Sequence, residues 1–425
     1  MQTSSGTRQS GHPARPSRPL DAAAVPPCAT TSADVRRITD EGEAIPIARL
    51  FAAGIAGGAA ARDRGRRMPY EEIEQFSATG LWALSVPRER GGPGASYATQ
   101  GAVFGIVAEA DPSIAQIPKN HFYALDILAL NGEEAQKQFF YEEVLAGKRI
   151  AQAASERGTR HPMDIRTRLL RSGDGLRLRG QKFYSTGSLF AHWIAVNAID
   201  EDGRFVQVLV PHDAPGLEII DDWTGFGQRT TASGTITLAD VPVDPAHVVS
   251  LQAAYDRPTL AGPVSQFLHA CIDGGIARGA IEETIAFVNT RARPWSDSGV
   301  TRAAEDPYTI QAVGDLKIRL FAVEAALERA ALRLDLTGET PSEEEVAAAS
   351  VDVACAKVLT TELAILATNK LFELSGASAT AEGLNLDRHW RNARTHTLHD
   401  PVRWKYNVVG DYYLNAVYPR RHNYI

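Results

Sequence analysis

Apolar positions recur at helical spacing from about residue 41 to 149, alternate with a period of two from 150 to about 255, and return to helical spacing from 256 to 425. In the first stretch, "MPYEEIEQFSATGLWAL" sets Ile73, Phe76 and Leu81 at near-helical intervals, and Gly80 suits a helix end. "SVPRERGGPGASY" reads as a loop and "TQGAVFGIVAEA" as a buried helix. In the second, "TRLLRSGDGLRLRGQKFYSTG" predicts two strands around the turn "SGDG", "HWIAVNAIDEDGRFVQVLV" repeats the plan around "DEDG", and "SGTITLADVPV" adds another strand. In the third, "PSEEEVAAASVDVACAKVLTTELAILATNKLFELSG" opens with Ser342 and Glu345 in capping-box spacing and stops at Gly376. That predicts a helix of about thirty residues, roughly 45 Å long, which exceeds the needs of one small domain. An Ala-rich helix of that length points to a bundle that also packs against another subunit. The fold class expected is α+β: an N-terminal helical domain (41–149), a central β-barrel or sandwich (150–255) and a C-terminal four-helix bundle (256–425).

Composition narrows the function classes. A net charge of −7 gives no basic footprint for nucleic acid. Cys28, Cys271 and Cys355 are too few and too scattered for a disulfide framework, which fits a reducing, cytoplasmic setting. No apolar run has the length of a membrane span. Residues 1–40, rich in Ser, Thr, Pro, Gly and Arg, read as a disordered tail.

Chemistry concentrates in "RNARTHTLHDPVRWK", residues 391–405. A helix cannot run undisturbed through His399-Asp400-Pro401, because proline lacks the amide donor and displaces the residue before it. A turn flanked by imidazoles and a carboxylate can serve proton transfer, since imidazole titrates near neutrality. His396 and His399, with a further ligand such as His389, also have the residue types of a zinc site, but the Cys and His supply elsewhere is poor, and no metal is expected.

The order helices, sheet, helices, with "KFYSTG", "WTGFGQRTTASGT" and "RHWRNARTHTLHDPV" in sequence, resembles the acyl-CoA dehydrogenase superfamily over about residues 41–425. Where dehydrogenases of that superfamily carry a Tyr-Glu-Gly turn with a catalytic glutamate, this chain carries His399-Asp400-Pro401. The substituted version is similar to the flavin-dependent monooxygenase branch, which includes dibenzothiophene monooxygenases and sulfur-acquisition oxidoreductases. The resemblance implies an enzyme that receives reduced FMN by diffusion from a separate NAD(P)H-flavin reductase, forms a flavin hydroperoxide with O2, and oxygenates a small organosulfur or heteroaromatic compound. It further implies a homotetramer built as a dimer of dimers.

The resemblance also implies site residues. His399 is expected to manage the catalytic proton, with Asp400 orienting it. His121 is expected near the substrate side of the flavin. Tyr184, Thr186, Ser155 and Ala154 are expected along the flavin ring, and Arg291, Arg293, Ser375 and Gly376 at the flavin phosphate, the arginines reaching a neighbouring subunit's cofactor. An apolar pocket is expected near Phe122, Tyr123, Trp223 and Phe226. No G-x-G-x-x-G opens a helix after a strand, so a nicotinamide site is not expected. Two alternatives stay open: an FAD-dependent acyl-CoA dehydrogenase or oxidase with Asp400 as a shortened base, and a helical assembly protein that has lost its cofactor.

Overall fold

The computed structural model describes residues 34–173 and 175–425. The expected tail therefore lies mostly outside the described residues, as does Asp174 of the "SGDG" turn. Within the expected tail, residues 34–40 are not free: the Arg36 amide donates to the Ala78 carbonyl and Ile38 is 1% exposed. The boundary of the folded body thus falls earlier than composition indicates.

Six helices come first: α1 (Ala44–Ala56), α2 (Ala59–Gly65), α3 (Tyr70–Ala78), α4 (Tyr97–Ala110), α5 (Pro112–Asn131) and α6 (Glu134–Leu145). Helix α5 starts where local chemistry demands: the Asp111 carboxylate accepts from the Ser113 and Ile114 amides, and Pro112 occupies the first turn, where its missing N–H costs nothing. Eight strands follow: β1 (Ile150–Ala153), β2 (Arg168–Ser172), β3 (Gly175–Lys182), β4 (Trp193–Ile199), β5 (Phe205–Pro211), β6 (Leu217–Ile220), β7 (Thr235–Val243) and β8 (Val248–Ser250). They form one mixed sheet in the order β6-β7-β3-β2-β4-β5-β8, with β1 parallel to β4. A single residue pair, Arg168 with Ile199, joins its two halves. Both halves feed one apolar core that includes Leu178, Ile194, Val196, Val208, Ile236 and Leu238, so they pack as two layers of a sandwich.

The chain then returns to helix: α7 (Ala253–Asp256), α8 (Ala261–Thr290), α9 (Pro307–Leu336), α10 (Glu343–Ser375), α11 (Asp387–His396) and α12 (Arg403–Asn415). The capping box at Ser342 and Glu345 forms as expected, and α10 ends before Gly376, whose φ of 73° is the left-handed conformation that glycine tolerates. The break at His399-Asp400-Pro401 separates α11 from α12. Among the described residues, no single helix is long and apolar enough to cross a membrane.

Two sequence motifs far apart in the chain lock together and fix the site's frame. The loop "WTGFGQRT" presses on α11 so closely that a Cβ on Gly227 would lie 1.9 Å from the Arg391 carbonyl oxygen. The Gln228 amide donates to Asn392 Oδ1 at 2.7 Å, Arg391 donates to the Phe226 carbonyl at 2.9 Å, and the Phe226 and Trp390 rings stack. Arg391 also grips Asp63 of α2 at 2.6 Å, tying all three regions.

Candidate active site

A cavity of about 660 Å³, within the usual range for small-molecule sites, opens where α5, the loops of the sheet, α8 and the α11–α12 break converge. Its walls differ in chemistry. A larger hollow of about 1010 Å³ between α1, α4, α8 and α9 is walled mainly by small side chains and the Arg278 ion pairs, and gathers none of the site residues expected above.

The sheet side of the smaller cavity is rich in neutral hydrogen-bonding groups, with Glu156 and Arg160 at its edge. Strand β3 ends at Lys182, and "YSTG" leaves it as a tight loop, not a continued strand. Tyr184 adopts φ 59°, its carbonyl accepting from the Thr186 amide at 2.9 Å. This left-handed turn leaves the Tyr184 ring 55% exposed, edge-on to Trp223. Thr186 Oγ1 meets Ser233 Oγ at 2.7 Å, and Ser233 Oγ meets Thr231 Oγ1 at 2.7 Å, giving a row of three hydroxyls on the wall. Ser185 is buried and outside the lining.

Ala154 and Ser155 line the same wall. Their loop is held by the Glu156 side chain. Glu156 accepts from Lys182 Nζ at 2.7 Å, Thr167 Oγ1 at 2.7 Å and the Arg166 amide at 2.8 Å. Arg157 lies 3.2 Å over the Phe183 ring. Burial raises the Glu156 carboxyl, but Lys182 and the other donors outweigh it and hold it below its ordinary value.

The helical side is ionisable. His399 borders the cavity at the break, and its Nδ1–H donates to the His396 carbonyl at 2.7 Å. Surrounding protein, then the adjacent His396, lower its pKa, although the residue keeps some exposure to solvent. Beneath it, His396 Nδ1 lies 2.5 Å from Asp273 Oδ1, and Lys357 Nζ lies 2.6 Å from Asp273 Oδ2, all three buried. Burial alone would raise the Asp273 carboxyl; Lys357 and His396 instead hold it well below the usual carboxylate range. Lys119 on the cavity wall donates to Ser265 at 2.8 Å, and burial lowers it to about 7.

Several expectations are corrected here. His121 does not line the cavity: it is 0% exposed, with Nε2 at 2.9 Å from the Trp82 carbonyl and Nδ1 accepting from the Ile150 amide at 3.0 Å. It joins α5 to β1 as a core residue. Phe122, 1% exposed, packs edge-on to Phe104 and His121, whereas Tyr123, Trp223 and Phe226 do reach the cavity. Asp400 does not orient His399, since the His396 carbonyl holds that Nδ1; its carboxylate faces Lys405 Nζ at 3.3 Å. His389 stands apart, 3.7 Å from Glu283. His269 instead joins His396 and His399, their ligating atoms within 4.8 Å of one another. Burial, then Lys119, lowers the His269 imidazole within that cluster.

Arg291, Arg293, Ser375 and Gly376 lie outside the cavity lining. The structure gathers them at one end of the bundle, where Phe287, Leu371, Ala379 and Leu386 pin the end of α8 to the end of α10. Sequence reading missed Gln116, His269, Asp273 and Lys357. The signal was present in "FLHACIDGG", where His269 and Asp273, four apart, share one face of an otherwise apolar helix.

The fit to a flavin can be judged from orphaned polar atoms. Among the described residues, buried Gln152 Nε2, Gln228 Oε1, Gln266 Oε1 and Thr395 Oγ1 lack partners, and all four residues line the cavity. Buried polar atoms of this kind await a ligand that donates and accepts, as the carbonyl and N–H edge of a flavin ring does.

Comparison with known proteins agrees with this geometry. Family profiles for the acyl-CoA dehydrogenase N-terminal, middle and C-terminal domains match residues 46–148, 151–241 and 267–404. The dibenzothiophene monooxygenase of Mycolicibacterium goodii is 33% identical over 92% of this chain and 97% of its own. The probable FMNH2-dependent monooxygenase SfnC of Pseudomonas putida is 31% identical over 88% of this chain and 96% of its own. TdsC from Paenibacillus sp. A11-2, solved with FMN and indole, superposes with a TM-score of 0.86 and 31% identity over 90% of this chain and all of that one. The chain belongs to the acyl-CoA dehydrogenase superfamily, in its flavin-dependent monooxygenase branch.

Proposed function

We propose that the protein is the oxygenase of a two-component system, taking reduced FMN from a separate reductase and, with O2, placing one oxygen atom on a small organosulfur or heteroaromatic compound in sulfur acquisition. One observation carries this reading. At the break after α11 an imidazole borders the cavity, while the only carboxylate of that turn is buried against Lys405. The alternative dehydrogenase needs a base facing the substrate, and Asp400 is 3% exposed and outside the lining.

Reduced FMN, when bound, supplies the electrons that activate O2 for transfer of one oxygen atom, the other leaving as water. Thr186 and Ser155, with the side-chain amides of Gln152 and Gln228, would hold a flavin ring by hydrogen bonds. Tyr184 and Trp223 cover it and exclude water. His399 keeps Nδ1 engaged with the His396 carbonyl, leaving Nε2, beside the Gln116 amide on the cavity wall, as the atom that holds or moves a proton. Tyr123 and Phe226 give the substrate an apolar surround.

The cofactor phosphate is assigned to Arg291, Arg293 and the backbone at Ser375 and Gly376 of a neighbouring subunit in a homotetramer. Exposed apolar side chains support self-association: on α9, Ile318 is 71% and Phe321 76% exposed, and on α12 Leu414 is 83% exposed. The setting is the cytoplasm, where a reductase keeps FMN reduced.

The test reconstitutes the protein with a flavin reductase, NADH, FMN and 18O2, offering dibenzothiophene, dimethyl sulfone and indole separately. Incorporation of one 18O into any of them is expected. Bleaching of bound flavin by acyl-CoA under anaerobic conditions, with no labelled product, would overturn the reading.

A further inference from the structure

Below the cavity floor, four helices send polar groups to one point. Asp273 of α8 receives His396 Nδ1 at 2.5 Å on one oxygen and Lys357 Nζ at 2.6 Å on the other, with Thr361 Oγ1 at 3.2 Å beside the lysine. A carboxylate that close fixes a proton on His396 Nδ1. The His396 carbonyl, 2.7 Å from His399 Nδ1, fixes a proton there too.

The two remaining ring nitrogens both face one side chain. Gln116 Oε1 lies 2.9 Å from His396 Nε2, and Gln116 Nε2 lies 3.1 Å from His399 Nε2. A primary amide has one accepting end and one donating end. Whichever way it turns, one imidazole meets oxygen and must offer an N–H, and the other meets NH2 and must offer a lone pair. If both rings are neutral, the oxygen faces a lone pair. If both are charged, the NH2 faces an N–H. A single Nε2 proton satisfies both contacts. His269 Nδ1, 3.3 Å from His396 Nε2, fits either state through its own tautomer.

We propose that Gln116 is a positioning residue that makes His396 and His399 a one-proton pair, the direction of its amide recording which ring carries the charge. In the arrangement seen, His396 is the imidazolium and His399 turns a lone pair to the amide. Rotation of the amide by half a turn accompanies the proton's arrival on His399, beside the cavity. The site then offers one proton per cycle from this pair and resists a second.

Surrounding charges leave room for this control. Burial is the largest influence and leaves both rings below the ordinary imidazole value; Lys357 adds to it at both and Lys119 at His399, while Asp273 and Asp400 favour the charged form of His396. Lys405 partly offsets Asp400 at 3.3 Å. The amide contributes a preference that depends on the total count, which no fixed charge supplies.

Neutron diffraction from deuterated, flavin-free crystals at neutral pH tests this by counting deuterons on the two rings. Wild type is expected to show both Nδ1 positions and one Nε2 position occupied. Gln116→Glu, which accepts at both ends, should fill both Nε2 positions, and Gln116→Leu should fill neither. A wild-type pair with both or neither Nε2 deuterated overturns the proposal, as does a count unchanged in both variants. If the variants fail to fold, the wild-type count decides alone. The measurement uses protein without flavin, so its failure leaves the assigned reaction untouched.

Discussion

The two walls of the cavity are built on different principles. On the sheet side Thr186, Ser233 and Thr231 pass hydrogen bonds among neutral hydroxyls, and no formal charge stands in that row. On the helical side His396, Asp273 and Lys357 are formally charged or titratable, and all are buried. Neutral groups hold a planar ring firmly at every pH where the protein folds. Ionisable groups in a low dielectric respond strongly to one proton. In the proposed reading the flavin ring is held from the sheet side and the proton is handled from the helical side, so substitutions on the two walls should fail in different ways.

The largest contrast is expected at His399. His399→Ala should lower oxygenation by about 10²–10⁴-fold, the usual worth of a positioned acid or base, while FMN affinity measured by fluorescence quenching stays near wild type. An equal loss in both would erase the distinction between the walls. Asp273→Ala leaves Lys357 and His396 buried without their counterion, and should destabilise the protein by about 3–5 kcal/mol, read by denaturant or thermal unfolding. The sign follows from its depressed carboxyl: the pairing is present at neutral pH and is lost only as pH falls below the ordinary carboxylate range.

His121 belongs to neither wall, and His121→Phe should leave turnover intact while costing about 1–3 kcal/mol, because the Ile150 amide loses its acceptor. Burial lowers this imidazole from 6.5 to about 4, so the native state binds fewer protons than the unfolded chain between those values. Stability from His121 is complete above about pH 6.5 and fades toward pH 4, and the variant's unfolding midpoint should depend less on pH across that window. The smallest effect is expected at Thr186. Thr186→Val removes one neutral hydrogen bond, worth about 1 kcal/mol, and should weaken FMN binding about fivefold with no change in the pH profile of turnover. A shifted profile would show that the neutral wall takes part in proton handling.

The sequence made the backbone plan readable because periodicity, caps and proline act locally. The switch to period two at residue 150, the Ser342 cap and the break at Pro401 each depend on neighbours a few positions away. The turn that carries His399 was readable for the same reason, because proline enforces it, while the role expected of the imidazole came from the resemblance. The network beneath it was not, because Asp273, Lys357 and Gln116 meet through three helices, and each alone looks like a polar residue on an amphipathic face. His121 shows the converse: the resemblance placed it beside the flavin, whereas a histidine between apolar runs is usually a core residue, and its two backbone partners make it one. The short strands β1, β6 and β8 also escaped notice, since three or four residues give alternation too little length to register.

Tyr184 holds a left-handed backbone that glycine would adopt more easily, at a cost of roughly 1–2 kcal/mol. Directed evolution for heat resistance alone would therefore reward Tyr184→Gly, gaining melting temperature while stripping the aromatic cover from the ring site. An engineer who wants a hardier catalyst from this scaffold should screen survivors for product formation at every round.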